Sequence, residues 1–177
     1  MTLTPRDLLL PSPALRALGA QPEMDPLTEL DALQEAQLLD VRFDTLTLTA
    51  GLLLELRMAL QLREANTGVL WVRGVRQLSW SGPSRATEMT AWSVGSSVPR
   101  AEDGVFSLTL SMWPAPGAQL TLVGESAAFF AGDVPGLNEA PPDYGALDVE
   151  SVREGLASWD SEFVPVHAVF LDPAESP

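Results

Sequence analysis

The sequence predicts an α+β domain, mainly an antiparallel sheet of six or seven strands with short helices near both ends of the chain. Three stretches carry this prediction. Every even position from residue 52 to 62 is apolar, residues 105–113 alternate in the same way, and residues 69–80 are rich in Val and Trp. Because successive side chains of a strand point to opposite faces, a two-residue period predicts strands.

The stretch "LLLELRMALQLRE" (residues 52–64) consists almost entirely of good helix formers. Helix propensity is worth only tenths of a kcal/mol per residue, whereas burial of one Leu side chain is worth roughly 1.5–3 kcal/mol. The alternation therefore predicts one long strand with a buried face and an exposed face. With residues 38–51 and 69–80 it forms a three-stranded meander core, in which Gly74 marks a bulge.

The remaining elements follow from turn residues and caps. Asp148 caps a helix that runs to about residue 160, and Pro165 places the last strand at a sheet edge because proline cannot donate a ladder hydrogen bond. The other predicted elements are strands at 89–97, 105–113, from 119 and at 163–171, with loops at 81–88, 98–104 and 133–145.

Near the N-terminus, three prolines each follow a good capping residue. Thr4-Pro5, Ser12-Pro13 and Asp25-Pro26 predict the starts of short helices, and Gly19 is a suitable stop for the second. We therefore expect residues 1–36 to form a helical segment packed on a single β-rich domain of residues 37–177.

Composition excludes several kinds of chemistry. The chain has no Cys, and all ten basic residues are Arg, so thiolate sites, Schiff-base catalysis and a lysine general base are excluded. Lys and Ile, which have AT-rich codons, are both absent, and this favours a bacterial genome of high GC content. We expect no cofactor, and the single histidine cannot form a His-rich metal site.

The net charge of −14 indicates the kind of partner. Such a chain repels phosphates, so we expect neither nucleic acid nor an anionic membrane to bind it. A basic protein is the natural complement of the surface, although solubility alone explains such a charge and is the favoured interpretation. Asp7, two prolines and Arg16 interrupt the apolar N-terminal stretch, so a secretory signal is not expected and the cytoplasm is the expected location.

One short motif resembles a catalytic one. "LTLVGESAAF" is similar to the nucleophile elbow of carboxylesterases of the α/β-hydrolase fold, with Ser126 as nucleophile, Asp148 or Asp160 as the acid and His167 as the base. The fold needs parallel βα units, whereas the preceding residues read as an antiparallel meander, and Ala128 replaces the closing glycine. A strand end rich in small residues is the favoured interpretation, and a serine esterase is the alternative.

The candidate partner-binding residues lie on the central strands and in the acidic loop. Arg with Trp on a sheet face is typical of interface hot spots, although a solvated face with cross-strand ion pairs is the favoured interpretation. The candidates are Glu55, Arg57, Arg63, Trp71, Arg73, Asp133, Glu139, Asp143 and Tyr144.

The succession "LLDVRFD", "GLLLELRMALQLR" and "GVLWVRGVRQLSW" within residues 38–80 resembles small acidic β-rich immunity proteins of bacterial polymorphic-toxin systems and similar uncharacterised actinobacterial proteins. The resemblance implies a non-catalytic protein that neutralises a partner stoichiometrically, and it carries no site residues. A structural subunit of a bacterial assembly is a further alternative. The sequence does not indicate the oligomeric state.

Overall fold

The computed structural model describes residues 2–84 and 89–174, in which one antiparallel sheet of nine strands dominates. The predicted sheet core is confirmed, but the predicted count of six or seven strands is wrong. The strands are β1 (Gln37–Asp44), β2 (Thr49–Glu55), β3 (Thr67–Arg73), β4 (Gln77–Ser81), β5 (Trp92–Glu102), β6 (Val105–Trp113), β7 (Ala118–Gly124), β8 (Ser126–Asp133) and β9 (Val164–Leu171), in the order β4-β7-β6-β5-β1-β2-β3-β8-β9.

Two of the additional strands arise from bends. β3 continues into β4 through Gly74, whose φ of 61° is a conformation that glycine adopts easily, and β7 continues into β8 through Glu125. The Glu125 N–H donates to the Arg73 carbonyl and the Arg76 N–H donates to the Val123 carbonyl, each at 2.8 Å. These hydrogen bonds maintain pairing across the bend, so β3–β8 and β4–β7 are two halves of one bent ladder.

Gly124 lies inside this bend, and a larger residue there should destabilise the sheet. A Cβ at this position would overlap the Val72 side chain and would lie 2.7 Å from the Arg73 carbonyl oxygen. Because the neighbour is backbone, Gly124→Ala should lower the free energy of unfolding by about 1–3 kcal/mol or more in urea unfolding. Gly95→Ala is the control, since its Cβ would meet nothing closer than 3.4 Å. Equal stability of the two variants would contradict this reason.

The long strand predicted at residues 52–64 is wrong in its bounds and its faces. β2 ends at Glu55, residues 56–66 form turns and bends, and every residue of β2 is buried. Leu52 and Leu54 pack in one cluster with Phe106 and Phe129, whereas Leu53 packs in a second cluster on the opposite face. The predicted exposed face does not exist here because both faces of β2 are covered.

The second cluster explains how the chain ends pack. The face of β2, β3 and β8 that carries Trp71 is covered by both ends of the chain. Leu8 and Leu15 come from the N-terminal segment, and Trp159 and Phe163 come from the chain just before β9. The predicted N-terminal helices are only 3-10 helices at Asp7–Leu9 and Pro13–Ala17, and residues 26–35 are turns.

The predictions near the C-terminal half are closer to the structure. β6 has the predicted bounds and buries the predicted side chains, and β9 lies at the end of the strand order as predicted from Pro165. Asp148 caps a helix, α1 (Val149–Glu154), which is shorter than predicted. β5 continues to Glu102 through the predicted loop at 98–104, and residues 85–88 of the loop predicted at 81–88 lie outside the described residues.

In the described part of the chain, no helix is long and apolar enough to cross a membrane.

Candidate functional site

The buried ion pair of Glu55 and Arg57 is the centre of the candidate site. Glu55 ends β2 with a side chain that is 0% exposed, and the Arg57 side chain is 5% exposed. The Arg57 Nε and Nη2 donate to the two carboxylate oxygens of Glu55 at 2.7 and 2.6 Å, and the Arg57 backbone N–H donates to one of them at 2.8 Å. Two parallel hydrogen bonds of this kind are the strongest arrangement for an Arg–carboxylate pair.

The remaining donors of Arg57 hold two parts of the chain that follow β8. Nη1 donates to the carbonyls of Asn138 and Ala140 at 2.8 and 3.1 Å, and Nη2 donates to that of Gly155 at 2.8 Å. All five side-chain N–H groups of a guanidinium are thereby used. One arginine therefore fixes the loop after β8 and the end of α1 to the sheet.

Asn66 fixes the beginning of the same loop. Its side chain accepts a hydrogen bond from the Val134 N–H at 2.9 Å and donates to the Val134 carbonyl at 3.1 Å, while its backbone N–H donates to Asp133 at 3.1 Å. Asparagine is common in turns, and Asn66 lies in the turn region between β2 and β3. Its bonds to a loop 68 residues away had no local signal.

Residues 133–162, here called the acidic segment, carry eight acidic side chains and one arginine, which is half of the net charge of −14. Seven of the eight acidic residues are exposed. They are Glu139, Asp143, Asp148, Glu150, Glu154, Asp160 and Glu162. The segment also exposes Leu147 and Val149, so its surface combines negative charge with apolar area.

Hydrogen bonding and burial perturb two ionisable groups of the segment. The Ser151 N–H, which donates to Asp148 at 2.8 Å, lowers the pKa of that carboxyl below its usual value. Burial raises the pKa of Tyr144, and the charge of Glu55 adds to this effect while Arg57 opposes it. Tyr144 therefore stays neutral near neutral pH and lies close to the buried ion pair.

The structure brings several of the sequence-predicted residues together. Arg57, Arg63, Asp133 and Glu139 line one cavity of about 470 Å³, and Tyr144 lines a neighbouring one. Asp143, in the same loop, is exposed and its side chain accepts a hydrogen bond from the Gly145 N–H. The buried Glu55 has no surface of its own to offer a partner.

Trp71 and Arg73 lie elsewhere, on the face covered by the N-terminal segment. Trp71 is 5% exposed and packs in the second cluster, so it offers little surface to a partner. The Arg73 guanidinium lies 3.9 Å from the centre of the Trp71 ring and donates weakly to the Leu9 carbonyl at 3.5 Å. Burial lowers the pKa of Arg73, and the charge of Arg16 lowers it further.

The three residues of the esterase hypothesis are not brought together. Ser126 is opposite Arg73 on β3, and His167 is opposite Ala131, five residues further along β8. At about 3.3 Å per residue this places them roughly 16 Å apart along the sheet. The ring nitrogens of His167 contact Glu64 and the Ala20 carbonyl.

Asp160, the third residue of that hypothesis, forms an ion pair with Arg6 at 2.8 Å. Ser126 begins an antiparallel strand, whereas a nucleophile elbow lies between a strand and a helix. Within residues 2–84 and 89–174, no group of three or more His, Asp or Glu side chains is placed to hold a metal ion.

Comparisons with protein-family models, with curated proteins and with solved structures found no match to this chain.

Proposed function

We propose that the protein is a non-catalytic binding module that uses the acidic segment to bind a basic partner protein. The observation that carries the proposal is the anchoring of this segment: Arg57, held by Glu55, binds three of its carbonyls. A surface that is already ordered loses less conformational entropy when a partner binds. Its concentrated negative charge favours a positively charged partner and speeds association at low ionic strength.

The exposed apolar residues of the segment support a protein as the partner. Leu147 and Val149 are 44% and 49% exposed beside the carboxylates. Apolar area with a charged rim is the usual composition of a protein interface. In line with the immunity-like resemblance, we propose that the module caps such a partner and neutralises it in a stoichiometric complex.

The test compares two variants of equal net charge. One neutralises four exposed carboxyls of the acidic segment, as Glu139→Gln, Asp143→Asn, Glu150→Gln and Glu154→Gln. The matched control neutralises four exposed carboxyls elsewhere, as Glu23→Gln, Glu29→Gln, Glu102→Gln and Glu125→Gln. Both variants keep Asp148, because its side chain caps α1.

Each protein is used to capture partners from a lysate of the organism that encodes the chain, and the basic protein recovered is then purified and titrated. We expect the control to bind it like the wild type and the acidic-segment variant to bind at least tenfold more weakly, since four interface charges are lost. If both variants lost affinity for the basic protein equally, net charge alone would explain binding, and the role of the acidic segment would be wrong. If the wild type recovers no basic partner at low ionic strength, the proposal is wrong.

A further inference from the structure

The cavity that Tyr144 lines has a volume of about 460 Å³. It lies between β1 and the C-terminal half of the acidic segment. Its volume is within the range of about 300–1,000 Å³ that is usual for sites of small ligands. Side chains from β1, β2 and the chain around α1 form its apolar wall. They are Leu38, Leu39, Leu53, Val152, Leu156 and Trp159.

The acidic groups of this cavity are already engaged. The Asp40 side chain accepts hydrogen bonds from the Trp159 indole N–H at 2.7 Å and from the Val41 N–H at 2.9 Å. Asp160 forms the ion pair with Arg6. Both carboxylates therefore already have partners within the protein.

The two cationic groups of the cavity differ in this respect. Arg42 lies 5.0 Å from the centre of the Trp159 ring, and Arg153 is near the end of α1. Among the residues that the structure describes, neither guanidinium has a hydrogen bond or an ion pair. Among the described residues that line the cavity, the charged groups without a hydrogen bond or an ion pair are therefore cations.

We propose that this cavity binds a small amphipathic carboxylate. Arg42 and Arg153 hold its anionic head group, because a guanidinium matches the geometry of a carboxylate. The aliphatic body lies against Leu39, Val149 and Leu156, which line the cavity and keep accessible apolar surface that the ligand removes from water. The cavity shares Val149 with the surface proposed to bind the protein partner, but binding of a small carboxylate needs no protein partner.

The experiment uses octanoate as the probe, with octylammonium and octanol as comparators of equal chain length. Binding to the full chain is measured by calorimetry and by the indole N–H signals of ¹⁵N-labelled protein, among which Trp159→Phe identifies the signal of Trp159. We expect octanoate to bind saturably, to shift the Trp159 signal and to bind at least tenfold more tightly than either comparator.

Two single substitutions test the cations. Arg42→Gln and Arg153→Gln should each weaken octanoate binding at least tenfold, whereas Arg100→Gln, an exposed arginine on β5, should leave it unchanged. Arg153 is exposed on a short helix, so its variant tests the site even if Arg42→Gln unfolds the protein.

Three results would overturn the proposal: no saturation by octanoate up to about 1 mM, equal binding of octanol or octylammonium, or unchanged affinity in both arginine variants. Because these measurements need no protein partner, failure of the capture experiment would leave the cavity assignment intact, and the reverse also holds.

Discussion

Replacing Arg57 by Met should lower the free energy of unfolding by about 3–5 kcal/mol, the usual cost of removing one partner of a buried ion pair. The variant leaves the Glu55 carboxylate buried without its cation, because that side chain is fully inaccessible. It also removes the donors to the carbonyls of Asn138, Ala140 and Gly155. Urea unfolding gives the loss, and faster amide exchange in the acidic segment should accompany it.

Removal of both charges separates the two contributions. Glu55→Leu combined with Arg57→Met removes the unpaired carboxylate, so it should recover part of the stability but should not restore slow exchange in the acidic segment. Arg63→Met is the matched control, since Arg63 is exposed nearby and its change should stay within about 0.5 kcal/mol. A loss below about 1 kcal/mol for Arg57→Met would mean that the pair does not hold the segment.

The prediction of β6 from sequence succeeded because that strand meets the condition on which the two-residue period depends. The side chains of Phe106, Leu108, Leu110 and Met112 are buried, and those between them are at least partly accessible. Water reaches one face of the strand and the core covers the other, so polarity reports burial directly.

At residues 52–64 the same two-residue period gave a wrong prediction of one long strand. β2 is buried on both faces, so its side chains carry no polarity signal, and the alternation beyond it lies in turns. There Leu56, Ala59, Leu62 and Ala65 are the buried positions, three residues apart. Apolar residues are frequent enough in this stretch to satisfy either spacing. Long-range packing decides between them, since all four buried residues lie in the cluster that contains Leu27, Leu33 and Phe106.

The candidate site could be predicted in part. Glu55 and Arg57 are only two residues apart in the chain, but the burial of their ion pair depends on a loop more than 80 residues away. Trp159 and Asp40 are separated by 119 residues, and no local pattern connects them. Contacts of this kind follow from the path of the chain ends over the sheet, which periodicity and capping do not encode.

Trp159→Ala should lower the free energy of unfolding by about 3–5 kcal/mol, whereas Trp159→Phe should cost roughly 1–2 kcal/mol. Trp159 is 3% exposed and packs in the cluster that joins the N-terminal segment to the sheet. Alanine removes this packing and the indole N–H together. Phenylalanine keeps an aromatic ring under Arg42 and loses mainly the hydrogen bond to Asp40, whose exposed carboxylate then binds water.

The comparison decides which contact holds the chain ends to the sheet. Urea unfolding of both variants and of Asp40→Ala measures the two contributions. Asp40→Ala should cost somewhat more than Trp159→Phe, because it also removes the bond from the Val41 N–H and leaves the buried indole N–H without its partner. If Trp159→Phe were as costly as Trp159→Ala, the hydrogen bond would dominate and the packing argument would be wrong. Since a buried aromatic side chain stabilises the fold several times as much as one hydrogen bond to a solvated carboxylate, we expect packing to make the greater contribution.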